Sequence, residues 1–198
     1  EMEPGLYIVG TPIGNLGDIT LRAIDTLKSA NLIVAEDTRH TRKLLEHFEI
    51  RTPMASCHKF NEASRVDLIL ERVRAGEAVA LVTDSGMPAV SDPGARVVAA
   101  CRRAGIAITV VPGPSSLTAA VALSGVESAG FVFEGFLPHK SGQRRKRLAA
   151  VATADQPVVF FESPYRLLKL LGEIEETLGQ RRVFVARELT KHFEECLA

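Results

Sequence analysis

Short apolar runs alternate with amphipathic stretches along this chain, and nearly every apolar run ends in a turn rich in Gly, Pro or Asp. That alternation constrains the fold more than any other feature. It predicts strands covered by helices, an α/β architecture, in both halves of the chain. Expected strands lie at 6–9, 32–35, 78–82, 106–111, 131–134, 158–161 and 183–185, the last of these closing the order. Expected helices begin near Thr20, capped by Asp18 or Thr20, and run over 40–48, 63–75, 115–123, 143–152 and 165–178. Gly76 stops the helix at 63–75. Asp92-Pro93 has the cap and first-turn proline of a further helix start. Pro112-Gly113-Pro114 cannot continue a strand or enter a helix without a turn, which places a domain boundary there: 1–112 and 113–198.

In open α/β sheets, ligands bind beyond the carboxyl ends of the strands, so the loop leaving each strand is where chemistry is expected. The first strand runs into Gly10-Thr11-Pro12-Ile13-Gly14-Asn15-Leu16-Gly17-Asp18. This loop lets a backbone approach a ligand closely, yet it is neither a GxGxxG turn nor a Walker loop, which disfavours a nucleotide-phosphate site. The second strand leads into Glu36-Asp37-Thr38-Arg39-His40, read either as a substrate contact or as a helix cap with a Glu36–Arg39 pair. The strand at 78–82 leads into Thr83-Asp84-Ser85-Gly86-Met87-Pro88-Ala89-Val90-Ser91-Asp92-Pro93-Gly94, small residues able to wrap a polar molecule with main-chain groups. Ser115 and Ser116 stand at a helix start, as ligand contacts or as caps. Any one of these loops has a structural explanation; four at successive strand ends point to a site.

In this order, these loops resemble the tetrapyrrole methylase superfamily, and more narrowly its ribosomal RNA branch. Phe133-Glu134-Gly135-Phe136-Leu137-Pro138, Phe161-Glu162-Ser163-Pro164 and Arg187-Glu188-Leu189-Thr190-Lys191 extend the match from about Leu6 to Lys191. The resemblance implies two α/β domains of the tetrapyrrole methylase type with S-adenosyl-L-methionine in the cleft between them. It implies cofactor contacts from Pro12, Asp84, Ser85, Gly86, Met87 and Val90, from Ser115 and Ser116, and from Glu162 and Leu189 around the adenine. The implied reaction is 2′-O-methylation of a cytidine ribose in small-subunit ribosomal RNA, by a homodimer acting on the RNA or the ribosomal subunit. Tetrapyrrole-modifying members have Gly-Gly-Asp-Pro where this chain has Ser85-Gly86-Met87-Pro88, which favours the RNA branch. Met87 and Tyr165 depart from that branch, where threonine and histidine are usual. Family members continue beyond the point that corresponds to Ala198, so this chain is expected to be truncated.

Methyl transfer to a ribose hydroxyl needs in-line positioning and removal of one proton. Candidate bases are Glu36, Asp37, His58 and Asp84. Substrate contact is expected from Arg39, from His58, Lys59, Asn61 and Glu62, and from the densest cationic run, Arg144-Arg145-Lys146-Arg147, which either meets phosphates or is a solvated helix face. Lys plus Arg number 24 and Asp plus Glu 24, so net charge gives no reason of its own to expect a nucleic-acid partner. Cys57, Cys101 and Cys196 are far apart with no metal-ligand spacing, and read as thiols in a reducing cytosol. No metal and no membrane contact are expected, and the location is read as cytoplasmic. Two other functions remain open: a C-methyltransferase acting on a corrin or porphyrin precursor, and a non-catalytic RNA-binding or ribosome-assembly module.

Overall fold

Ala78-Val79-Ala80-Leu81-Val82 is apolar and buried at every position. A strand of that kind must be covered on both faces, which places it inside a parallel sheet. The computed structural model, which describes residues 1–91 and 93–198, puts it there. The strands β1 (Gly5–Val9), β2 (Leu32–Ala35), β3 (Met54–Ser56), β4 (Ala78–Val82) and β5 (Ile108–Val111) form one sheet in the order β3-β2-β4-β1-β5. Every pairing in it is parallel.

Four helices connect these strands: α1 (Leu21–Ser29), α2 (Thr38–His47), α3 (Glu62–Arg74) and α4 (Ala95–Arg103). Alternation along β4 divides them between the two faces. Ala80 and Val82 pack with Ala23 and Leu27 of α1 and Leu45 of α2. Val79 and Leu81 pack with Ile69 and Val73 of α3 and Val97 and Cys101 of α4. Each fully buried Leu or Ile contributes about 1.5–3 kcal/mol of apolar burial. Thr20 caps α1, its hydroxyl accepting from the Ala23 amide at 3.0 Å.

The connectivity has one functional consequence. From β1 the chain crosses by α1 toward β2, and from β4 it crosses by α4 toward β5, on the opposite face and in the opposite direction. β1 and β4 are neighbours, so a crevice opens where their carboxyl ends diverge, the switch point at which such sheets bind ligands.

This sheet belongs to a unit comprising Glu1–Ser116 and Glu188–Phe193; a second unit comprises Leu117–Arg187 and Glu194–Ala198. The helix α5 (Ser116–Ser124) leads into the second unit, where β6 (Val132–Phe136) and β7 (Val158–Phe161) pair in parallel. They are joined by α6 (Ser141–Val151), and α7 (Leu167–Leu178) comes after β7. Leu137, Leu148, Leu170 and Ile174 make a small core with Phe160 against it. Two last strands, β8 (Val185–Arg187) and β9 (Glu195–Leu197), pair antiparallel.

Three expectations need correction. The strand expected to be last, at 183–185, shifts to β8 and is succeeded by β9, whose three exposed residues are too few to register as a run. β3 was not foreseen, because only three residues separate Pro53 from the buried Cys57. The helix expected to open at Asp92-Pro93 begins instead at Ala95. Asp92 lies outside the described residues, and the N-cap is Gly94 in a left-handed conformation (φ +115°), which a side chain there would strain.

Candidate active site

The loops leaving β1 and β4 meet across the crevice. The Thr11 amide donates to the Gly86 carbonyl at 3.0 Å, and the Gly86 amide returns a bond to the Thr11 carbonyl at 3.1 Å. Thr11 is buried, and its hydroxyl donates to the Thr83 carbonyl at 3.1 Å. Gly86 sits at φ +81°, a conformation glycine reaches without steric cost.

The loop after β5 closes on the same place. A Cβ on Gly10 would lie 2.7 Å from the Gly113 Cα and 2.9 Å from the Met87 sulfur. One on Gly86 would lie 3.2 Å from the Pro114 carbonyl oxygen and 3.9 Å from the Ser115 Cα. Three strand exits are thus in backbone-to-backbone contact, which only residues without side chains permit. Ala89 (φ 67°) and Ser91 (φ 57°) add left-handed backbone at non-glycine positions in the β4 loop. Local strain of this kind concentrates at ligand sites.

The loop after β2 is tied to β4 through polar atoms. The Asp37 amide donates to Asp84 Oδ1 at 3.2 Å, His40 Nε2 lies 2.9 Å from the Asp84 carbonyl oxygen, and the Thr83 hydroxyl donates to Glu36 Oε2 at 3.2 Å. The residues 188–193 reach the β1 loop: Asn15 Nδ2 donates to the Thr190 carbonyl at 3.2 Å. A Cβ on Gly14 would lie 2.8 Å from Lys191 carbons.

Among the four candidate bases, Glu36, Asp37 and Asp84 are brought together and His58 serves its own turn. Asp37 is the N-cap of α2, its Oδ1 accepting from the Arg39 amide at 2.9 Å. That backbone bond, aided by the His40 amide and the Arg39 charge, holds the Asp37 carboxyl below its ordinary value, which makes it a poor base. Asp37 thus serves as the helix cap, and Arg39 lies beside it at 3.6 Å. In the turn at 58–61, the Asn61 side chain accepts from the His58 amide at 2.8 Å, and His58 Nδ1 accepts from the Phe60 amide at 3.2 Å. Asp84 alone of the four stands in the loop that also pairs with Thr11 and approaches Ser115.

The cationic run at 144–147 is not one patch. Successive residues on a helix are turned by about 100°, so four in a row cannot share a face. Arg144 is buried, donating to both oxygens of Glu173 at 3.1 Å and to Glu162 Oε2 at 3.3 Å. Arg145 pairs with Glu176 at 3.6 Å, and Arg147 pairs with Glu134. Arg144 is therefore a structural cation, corrected from the RNA contact expected of it. Glu162 is held in this ion cluster, and its other oxygen accepts from the Ser163 amide at 2.8 Å.

A sequence model of the Tetrapyrrole (Corrin/Porphyrin) Methylases matches residues 5–198. The chain belongs to the tetrapyrrole methylase family. Within it, curated relatives named ribosomal RNA small subunit methyltransferase I are close. That of Thermotoga maritima is 50% identical over 96% of this chain and 85% of its own length. That of Synechocystis sp. is 48% identical over 96% and 68%, and that of Vibrio cholerae 47% over 96% and 67%. The fold is shared with solved family members. Uroporphyrin-III C-methyl transferase from Thermus thermophilus, complexed with S-adenyl homocysteine, superposes with a TM-score of 0.67 at 23% identity, covering 98% of this chain and 86% of that one. The cobalamin biosynthetic enzyme cobalt precorrin-4 methyltransferase gives 0.69 at 20% identity, covering 97% and 83%.

Gly86, Met87 and Ser115 stand where the exits of β1, β4 and β5 come together. Thr11, Thr83, His40 and Gly113 carry as much of the geometry; the sequence placed them in these loops and turns but gave them no individual role, because hydroxyls, a ring and a glycine in loops look like ordinary turn chemistry. Among the described residues no group of three or more His, Cys, Asp or Glu stands ready to hold a metal ion, and no helix is long and apolar enough to cross a membrane.

Proposed function

We propose that this chain is an S-adenosylmethionine-dependent methyltransferase acting on small-subunit ribosomal RNA, at the 2′-hydroxyl of a cytidine. The observation that carries the reading is 50% identity across 96% of the chain to a ribosomal RNA small subunit methyltransferase I. The convergence of Gly10, Gly86 and Gly113 at the switch point supports a ligand there.

When bound, S-adenosylmethionine would supply an electrophilic methyl group for the hydroxyl oxygen, with the thioether sulfur as its leaving group. Pro12, Ser85, Gly86, Met87, Val90, Ser115 and Ser116 would hold it, and Leu189 would complete the set. Glu162 is already committed to Arg144 and the Ser163 amide. Asp84 takes the hydroxyl proton. Its Oδ1 is fixed by the Asp37 amide, which aims the carboxylate. Positioning supplies much of the remaining acceleration. The enzyme works in the cytoplasm as a homodimer.

Calorimetry with S-adenosylmethionine tests the cofactor site, using Ser115→Trp to fill it. Binding by the natural chain that disappears in the variant supports the reading. Equal binding by both moves the cofactor elsewhere.

A further inference from the structure

A groove on the outer face of α3 and α4 has the chemistry of a nucleic-acid track. It encloses about 560 Å³, within the range of ligand sites. It is lined by Ala63 and Val66 from α3, by Ala99 and Ala100 from α4, and by the cations Lys59, Arg96 and Arg103. Arg96 and Arg103 are one helical stripe, seven residues and about 10 Å apart. Among the described residues none of these three cations forms an ion pair. Glu62, the acid at the groove, accepts from the Gly94 amide at 3.3 Å.

At one end stands Phe60, 91% exposed. Its exposure is built in. The His58 amide donates to Asn61, the Phe60 amide to His58 Nδ1, and Asn61 Nδ2 to the Ser56 carbonyl at 3.3 Å. The imidazole of His58 meets the Phe60 ring edge-on at 6.2 Å. An apolar ring held in water by a hydrogen-bonded turn, next to unpaired cations, is the combination that binds single-stranded nucleic acid: a base stacks and phosphates track the charges. The same end adjoins the β4 loop through Gly94.

We infer that this groove binds single-stranded RNA, stacking one base on Phe60 and seating backbone phosphates on Lys59, Arg96 and Arg103. The inference rests on the functional reading above. It assigns to α4 two contacts that no loop motif carries, and makes the track continuous with the β4 loop.

The test uses the full chain and deproteinised small-subunit RNA, with assembled subunits as the second probe. Arg96→Ala with Arg103→Ala is expected to weaken RNA binding at least tenfold and to lower the salt slope of log K by about 1.4. Phe60→Ala is expected to weaken binding about tenfold with the salt slope unchanged. Phe60→Trp, which keeps a stacking face, is expected to retain affinity. S-adenosylmethionine affinity is unchanged in all of them. Natural-level RNA binding by the double variant overturns the groove and leaves the methyltransferase reading standing. Weakened binding to the assembled subunit but not to bare RNA also overturns it, since the groove would then meet ribosomal protein. A natural chain that binds S-adenosylmethionine but neither RNA probe overturns both readings.

Discussion

Gly10 and Gly113 pack backbone against backbone: a Cβ on the first would stand 2.7 Å from the Cα and the amide nitrogen of the second. No rotamer change relieves such a clash, since both atoms are main chain. Gly10→Ala must therefore push the β1 and β5 loops apart. We expect its S-adenosylmethionine affinity to fall at least tenfold by calorimetry, with a lowered melting temperature. Gly142→Ala is the control, because a Cβ there meets nothing within 4 Å and the position is helical. It should raise stability by about 0.5–1 kcal/mol and leave cofactor affinity as it was.

The ion cluster at Arg144 predicts the opposite of a surface patch. Its side chain is 2% exposed, with Glu162 and Glu173 at 7% and 9%. Arg144→Met leaves two buried carboxylates facing each other without a cation. Denaturant titration should show a loss of about 3–5 kcal/mol. Arg145→Ala, which removes an exposed pair, should stay within about 0.5 kcal/mol of the natural chain.

Cysteine chemistry reports burial directly. Burial, with the charges of Glu62 and Glu36, pushes the Cys57 thiol up to about 11, and burial raises Cys101 as well. At pH 8 an alkylating reagent should label exposed Cys196 quickly and the other two only after unfolding. The sign of the linkage comes from the raised value. Below the ordinary thiol value of 9.0 both states are protonated and Cys57 contributes no pH dependence. As pH rises from there through about 11 the unfolded chain ionises first, so stability falls. Cys57→Ala should flatten that fall.

Asp37 and Asp84 separate by role. Asp37→Asn keeps an oxygen to cap α2 and should retain most activity, whereas Asp84→Asn keeps the bond from the Asp37 amide but loses the base. We expect kcat to drop about a hundredfold for Asp84→Asn, with cofactor affinity little changed. Equal losses in both variants would assign the proton transfer elsewhere.

The strands that build the sheet were legible because buried parallel strands are written as continuous apolar runs. Leu32–Ala35 and Ala78–Val82 match to the residue. β3 and β9 were not, since three residues carry no periodicity. Glu36, Asp37, Asp84, Gly86 and Ser115 all stand in loops at the carboxyl ends of strands, the place where this class of topology puts its ligands. The cap at Asp37 was one of two readings the sequence left open. Arg144's engagement was not legible, because its two carboxylates come from distant parts of the chain. Arg96 and Arg103 escaped notice for a related reason: they flank apolar residues on an ordinary amphipathic helix, and only with the neighbouring α3 do they line a groove.

Methyl transfer to RNA is the activity that decides the function. The most direct measurement incubates the chain with S-adenosylmethionine carrying a labelled methyl group and with small-subunit ribosomal RNA, digests the RNA to nucleosides, and separates them. Label is expected on one nucleoside, 2′-O-methylcytidine, and none when Ser115→Trp is used. Cofactor bound with no label in RNA, but label appearing in a uroporphyrinogen-type tetrapyrrole, would contradict it.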